Sequence, residues 1–299
     1  MLISGEYLVL KGAKALALPV NMGQSLRINE LVSSKSTFIW KSAFLDSFWF
    51  SAILHKKDFS VVKTTNSGIA EKLSHLLNAV RKLNPAFLID RKSYEIDSHL
   101  EFHKDWGLGS SSSLVSNMAY WADVDPFLLL SETFGGSAYD IACARSNKAL
   151  IYQLIDGLRI VAPLGFYPSF HNRLFFVWLG KKQNSSLEVK KFMSNARSWE
   201  KEINSISEFT EEMAASDHIN DFMKLMVEHE KIMSSILRTK TVKEKYFNDF
   251  SGEIKSLGAW GGDFIMIASE QDQSEVREYF HNKGLQVFFT FKELAVGGN

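Results

Sequence analysis

The sequence predicts a two-domain α+β protein, on three observations. The chain has 299 residues, more than one hydrophobic core usually serves. Its first part alternates apolar and polar residues with the two-residue period of strands, and later stretches carry apolar stripes at helical spacing. The pattern changes after Leu154-Ile155-Asp156-Gly157, which places a boundary near residue 160 and divides 1–160 from 161–299.

The elements follow in order. Leu8-Val9-Leu10, a Lys11-Gly12 turn and Ala15-Leu16-Ala17-Leu18 read as a hairpin, and the stretches through Trp40 and Trp49-Phe50 read as further strands. Ile69, Leu73, Leu76, Leu77, Val80 and Leu83 repeat at helical spacing until Asn84-Pro85 stops them. Tyr94, Ile96, Ser98, Leu100 and Phe102 alternate with polar residues, a strand that leads into a glycine-rich loop. On that strand His99 and His103 stand roughly 13 Å apart, too far to share a metal ion. Beyond the boundary, Leu174–Leu179 reads as a strand, and Val189, Phe192, Ala196, Trp199, Ile203, Ile206 and Phe209 as a helical stripe. Phe222, Leu225, Met226, His229, Ile232, Met233 and Ile236 form a second stripe, read as core. Phe264–Ala268 and Leu285–Phe289 read as late strands.

The run Trp106-Gly107-Leu108-Gly109-Ser110-Ser111-Ser112-Ser113, followed at once by the apolar pair Leu114-Val115, has the makings of a phosphate cradle. Two glycines allow tight turning and close approach, serines offer hydroxyls and free N–H groups, and the following helix aims its positive end at an anion. The Lys of a P-loop and the third glycine of a dinucleotide fingerprint are missing. A bare helix cap would use the same residue types, so on local sequence the two readings stand level.

Composition points to a water-soluble enzyme. Lys plus Arg and Asp plus Glu number 34 each, which gives neither the basic stripe of a nucleic-acid partner nor a polybasic membrane surface. One cysteine, Cys143, cannot make an internal disulfide, so a reduced, cytoplasmic setting is expected. No segment stays apolar long enough to span a bilayer.

Four segments together carry a resemblance. They are Ser4-Gly5-Glu6-Tyr7-Leu8-Val9-Leu10, Gly107 to Ser111, Gly135-Gly136-Ser137-Ala138-Tyr139-Asp140-Ile141-Ala142, and Ser256-Leu257-Gly258-Ala259-Trp260-Gly261-Gly262-Asp263-Phe264. In that order they resemble the motifs of the kinases for galactose, homoserine, mevalonate and phosphomevalonate, the GHMP kinases, most closely the mevalonate and phosphomevalonate branch. His103 stands where the family has a proline, and Trp260 interrupts the last glycine run.

The resemblance implies a two-domain GHMP-kinase fold, with an N-terminal ribosomal-protein-S5-like α/β domain and a C-terminal ferredoxin-like α+β domain. It implies ATP and Mg²⁺ as cofactors and a small-molecule substrate, in a monomer or homodimer. Gly107, Leu108, Gly109, Ser110, Ser111 and Ser112, with Gly258, Ala259, Gly261 and Gly262, would bind the nucleotide. Asp140 would be the catalytic residue, beside the acceptor hydroxyl; Glu6, Tyr7, Gly136, Ser137 and Tyr139 would contact the substrate. Ser111 and Glu132 would hold Mg²⁺. Trp106 and Trp260 suit either a site wall or packing, and Arg145, Lys181 and Lys182 suit either an anionic acceptor or solvent. Family members carry a Gly-Lys just before the Gly-Glu segment, where this chain has Met1, so either the start is truncated, the favoured expectation, or the chain operates without that cation. Mevalonate or phosphomevalonate leads as acceptor, with homoserine or a sugar next; a non-catalytic nucleotide-binding relative is the reading from another class.

Overall fold

The computed structural model describes residues 1–31, 37–182, 185–194, 197–258, 260 and 263–296. A 3₁₀ turn at Leu8–Lys11 precedes β1 (Ala15–Ala17), β2 (Gln24–Leu31), β3 (Thr37–Phe44), β4 (Ser47–His55), β5 (Val61–Thr64), α1 (Ser67–Leu83) and β6 (Ser93–Leu100). Three helices follow, α2 (Ser110–Ala122), α3 (Pro126–Thr133) and α4 (Tyr139–Ala144), then β7 (Ala149–Ile155), β8 (Leu158–Leu164) and β9 (Leu174–Trp178). Helices α5 (Ser185–Met193), α6 (Glu200–Ala215), α7 (Ile219–Leu237) and α8 (Val242–Tyr246) lead to β10 (Glu253–Ser256), β11 (Phe264–Ala268), α9 (Gln273–Asn282), β12 (Phe288–Thr290) and α10 (Phe291–Leu294).

Contacts group the chain into two compact units, each discontinuous in sequence. One comprises residues 22–104 and 108–144. Its five-stranded sheet runs β2-β6-β3-β4-β5, parallel between β3 and β6 and antiparallel elsewhere. The two-residue period turns Phe38, Trp40, Phe50, Ala52, Leu54 and Ile96 to one side, where they meet Leu73, Leu76 and Leu77 of α1 and Val115 and Met118 of α2. Local chemistry sets the helix starts. The Asn66 side chain accepts from the Ile69 amide at 3.1 Å, and Asp125 accepts from Phe127 and Leu128 ahead of a proline whose missing N–H costs nothing in a first turn.

The other unit comprises residues 1–21, 105–107 and 145–299. It holds the sheets β1-β7-β8 and β10-β11-β9-β12, both antiparallel. Residues Leu174–Val177 of β9 and all of β11 are buried, which is why these strands read as unbroken apolar runs. Phe175, Ile265 and Ile267 pack with Val276 and Phe280 of α9. A second core gathers Tyr7, Leu8, Phe192, Trp199, Ile206, Met233, Ile236 and Trp260.

Three expectations need correction. Leu8–Leu10 is a 3₁₀ turn rather than a hairpin arm, and β1 pairs instead with β7, Leu16 opposite Ile151. The stripe from Val189 to Phe209 is two helices, because Phe192 on α5 and Trp199 before α6 stack at 6.1 Å and feed one core. The last strand is the shorter Phe288–Thr290. In the contact units the first 21 residues group with the later part, held by β7 and by Ser4 Oγ at 2.8 Å from Thr210 Oγ1 on α6.

Among the described residues, no helix is long and apolar enough to cross a membrane.

Candidate active site

In the unit of residues 22–104 and 108–144, α2 starts on Gly109, whose φ of 82° lies in the left-handed region. A glycine there makes the sharp entry without strain and contributes no side chain to cap the helix, so the leading N–H groups at Ser110, Ser111 and Ser112 face outward. The turn is fixed from beneath. Ser113 Oγ donates to Gln24 Oε1 at 2.7 Å, and Asn117 Nδ2 donates to the Gln24 carbonyl at 2.6 Å, which ties the first turns of α2 to β2.

Asp140 occupies the first turn of α4. A Cβ placed on Gly109 would lie 3.6 Å from its Oδ1, so the carboxylate stands directly beside the glycine that opens α2. Burial raises its pKa above the ordinary aspartate value, against the lowering effect of a hydrogen bond from Tyr139. Two residues thirty-one positions apart (140 − 109) thus meet at one helix start. Gly136, Ser137 and Tyr139 belong to the segment that delivers Asp140.

The other unit presents a second glycine site. Gly107 has φ 74°, and a Cβ on it would come within 2.7 Å of Asp263 Cγ. Gly258 has φ 69° and lies 3.6 Å, by the same measure, from Asp263 Oδ2. The buried Asp263 carboxylate is therefore bracketed by both glycines, a role the sequence did not disclose. Asp263 itself sits at φ 54°, held by backbone bonds to Lys181 and Leu179 at 2.8 Å each. Trp106 packs edge-on against Phe264 and Phe289, and Trp260 is buried against the α5–α7 core, so packing accounts for both tryptophans. Ala259, Gly261 and Gly262 lie outside the described residues.

Glu6 and Tyr7, expected at the substrate, face inward. Glu6 is 1% exposed. Its Oε1 accepts from Lys255 Nζ at 2.6 Å, and its Oε2 lies 3.2 Å from His229 Nε2. Burial alone would raise the Glu6 carboxyl, but the Lys255 and His229 contacts hold it at about 2. His229 goes the other way: burial, aided by the Lys255 charge, lowers it to about 4. The neighbouring Glu230, on α7, accepts from Ser256 Oγ at 3.3 Å, and burial pushes it up to about 8. His229 was legible as a member of the α7 core stripe; Glu230 was not. Lys255 gave no sequence signal: in Glu253-Ile254-Lys255-Ser256 only Ile254 is apolar, yet Lys255 is buried along with Ile254 and Ser256.

The remaining candidates separate from these sites. Glu132 is exposed, and its carboxylate pairs with the Lys82 ammonium of α1 at 2.7 Å. Arg145, Lys181 and Lys182 are exposed. Burial pushes the Cys143 thiol up to about 11, which keeps it protonated and unreactive. Among the described residues, no three His, Cys, Asp or Glu side chains converge as a metal cluster.

No family model matches this chain, and no curated protein matches it in sequence. Solved structures do match its fold. Against the Methanococcus jannaschii mevalonate kinase the TM-score is 0.73 at 14% identity, covering 100% of this chain and 96% of that one. Against the Streptococcus pneumoniae phosphomevalonate kinase in complex with phosphomevalonate and AMPPNP it is 0.66 at 16% identity, covering 96% of each. A D-glycero-D-manno-heptose 1-phosphate kinase from Bacteriodes thetaiotaomicron gives 0.64 at 14% identity, over 97% of this chain and 89% of that one. Spanning the whole sequence and not a single motif, these likenesses establish that the chain has the mixed α+β fold of the GHMP kinases.

Proposed function

We propose that this protein is an ATP-dependent small-molecule kinase that transfers the γ-phosphoryl group to a hydroxyl or phosphate of a small acid, with mevalonate or phosphomevalonate the leading acceptor. The observation that carries the reading is the Asp140 carboxylate standing at the Gly109 turn, beside the uncapped N–H groups of α2. An anion-binding helix start and a base at one point are what phosphoryl transfer asks of a protein.

The backbone from Gly107 to Ser112 would bind the nucleotide phosphates, with the α2 dipole favouring their charge. With a hydroxyl acceptor, Asp140 would orient the oxygen and take its proton as the new O–P bond forms and the bond to the departing ADP breaks. Its raised pKa improves it as a base. The oxygen donors that suit Mg²⁺ are the Ser111 hydroxyl, in the first turn of α2, and the Asp140 carboxylate, since this cation takes one or two protein oxygens and completes its shell with phosphate and water. Bound there, Mg²⁺ would neutralise charge developing on the transferred group.

The test is ADP release from Mg-ATP, screened against mevalonate, phosphomevalonate, homoserine and simple sugars, with Asp140→Ala alongside. One acceptor should give turnover that falls by roughly 10²- to 10⁴-fold in the variant. ATP binding without turnover on any acceptor would overturn catalysis and leave a nucleotide-binding protein.

A further inference from the structure

Two adjacent residues near the start of the chain grip the loop after β10 at two points. Lys255, 0% exposed, sits one residue before the end of β10 and three before Gly258. Its ammonium donates to Glu6 Oε1 at 2.6 Å and to the Ser256 carbonyl at 3.1 Å, so Glu6 holds the strand end through it. Further along, the Trp260 amide donates to the Tyr7 hydroxyl at 3.3 Å.

For successive side chains to reach one loop, the backbone between them must turn sharply, and Tyr7 does so at φ 60°. A bulky residue keeps that conformation only where its surroundings impose it. They do: the Gly5 amide lies 3.2 Å from His229 Nε2, that same nitrogen lies 3.2 Å from Glu6 Oε2, and the next residue of α7, Glu230, takes Ser256 Oγ. Helix α7 thus anchors both the segment that grips and the strand end that is gripped.

We propose that Glu6 and Tyr7 are positioning residues, which hold Gly258 and Trp260 in place through the Lys255 ammonium and the Trp260 amide, and make no contact with the acceptor. The inference rests on the kinase reading for its functional consequence, namely that the loop they hold meets nucleotide phosphate. A carboxylate sealed between a lysine and a histidine has no face left for a small molecule, and the Tyr7 oxygen is spent on a backbone amide.

The experiment compares the full chain with Tyr7→Phe, Lys255→Met and Lys255→Arg, reading amide exchange at Leu257, ATP affinity by calorimetry, and acceptor KM. Leu257 is chosen because its amide bonds to the Phe264 carbonyl at 3.0 Å, so its exchange reports the loop and not the deleted group. Tyr7→Phe should speed that exchange and weaken ATP binding by roughly three- to tenfold, as for one lost hydrogen bond, with acceptor KM unchanged. Lys255→Met should exceed both effects, and Lys255→Arg should recover part of them. Unchanged exchange, or a raised acceptor KM with ATP affinity intact, would overturn the proposal. Should Lys255→Met fail to fold, Tyr7→Phe, which removes one oxygen, carries the test. If the wild type neither binds ATP nor turns over an acceptor, the kinase reading falls, and the exchange rates still decide whether the loop is held this way.

Discussion

At the residue scale the most consequential group outside the candidate site is Glu230, a buried acid whose neighbours cannot welcome its charge. Burial pushes it up to about 8, with Glu6 adding to the rise and Lys255 opposing it. The folded protein therefore keeps a proton that the unfolded chain releases near pH 4.5, so stability falls as pH climbs from there towards 8. His229 and Glu6 run the opposite way. Their folded values of about 4 and about 2 lie below the unfolded ones, so their contributions are lost on acidification, below pH 6.5 and below pH 4.5 respectively. Between pH 4.5 and 6.5 the His229 and Glu230 slopes cancel; above 6.5 only Glu230 remains. Chemical denaturation between pH 6.5 and 8 should show stability declining by up to about 1.4 kcal/mol per pH unit in the wild type. Glu230→Gln should flatten that decline, and a slope that survives the substitution would assign it elsewhere. Residues of this kind escape sequence reading because an acid on a helix looks the same whether it faces water or core. Asp140, proposed above as the base, could be singled out in the sequence for a different reason: the glycines before it allow the backbone to approach a ligand closely.

Elements were legible where one local rule decides them. Asn84-Pro85 ends α1, the buried period of two marks β6, and the α7 stripe of Phe222, Met226, His229, Met233 and Ile236 is buried as its spacing requires. Replacing Asn66 by Ala removes the acceptor for the Ile69 amide and should lower stability by about 0.5–2 kcal/mol, read as a shifted denaturation midpoint. A midpoint that does not move would mean water replaces the cap at no cost. Legibility failed where two elements share one core. Phe192 and Trp199 lie seven positions apart, a helical interval, so a stripe across two helices is indistinguishable from a stripe along one. The opening 3₁₀ turn failed similarly, since Leu8 and Val9 are both buried and leave no alternation to read.

For the whole molecule, the mixed α+β architecture could be read from periodicity, whereas the assignment of segments to units could not. Pairing between Leu16 and Ile151 leaves no trace in either neighbourhood, because strand partners are set by tertiary contact and not by local pattern. Deleting Met1–Asn21 would strip β7 of one neighbour, take Glu6 from Lys255, and remove Ser4 from Thr210. Hydrogen exchange on such a shortened chain should show lost protection across Ala149–Ile155 and Glu253–Ser256, with the β2–β6 sheet and α1 still protected. Loss of protection in that sheet as well would mean the two units do not unfold independently.

The β1–β7 pairing also orders events during synthesis. Ala15–Ala17 leaves the ribosome well before its partner strand Ala149–Ile155 is made, a wait on the order of ten seconds at ordinary translation rates. In that interval the residues that build the β2–β6 sheet are complete and free to collapse, while the sticky leading segment Leu8-Val9-Leu10 and Ala15–Leu18 stays uncovered. A strand whose partner is made so much later is thus one that a nascent-chain chaperone has long to protect.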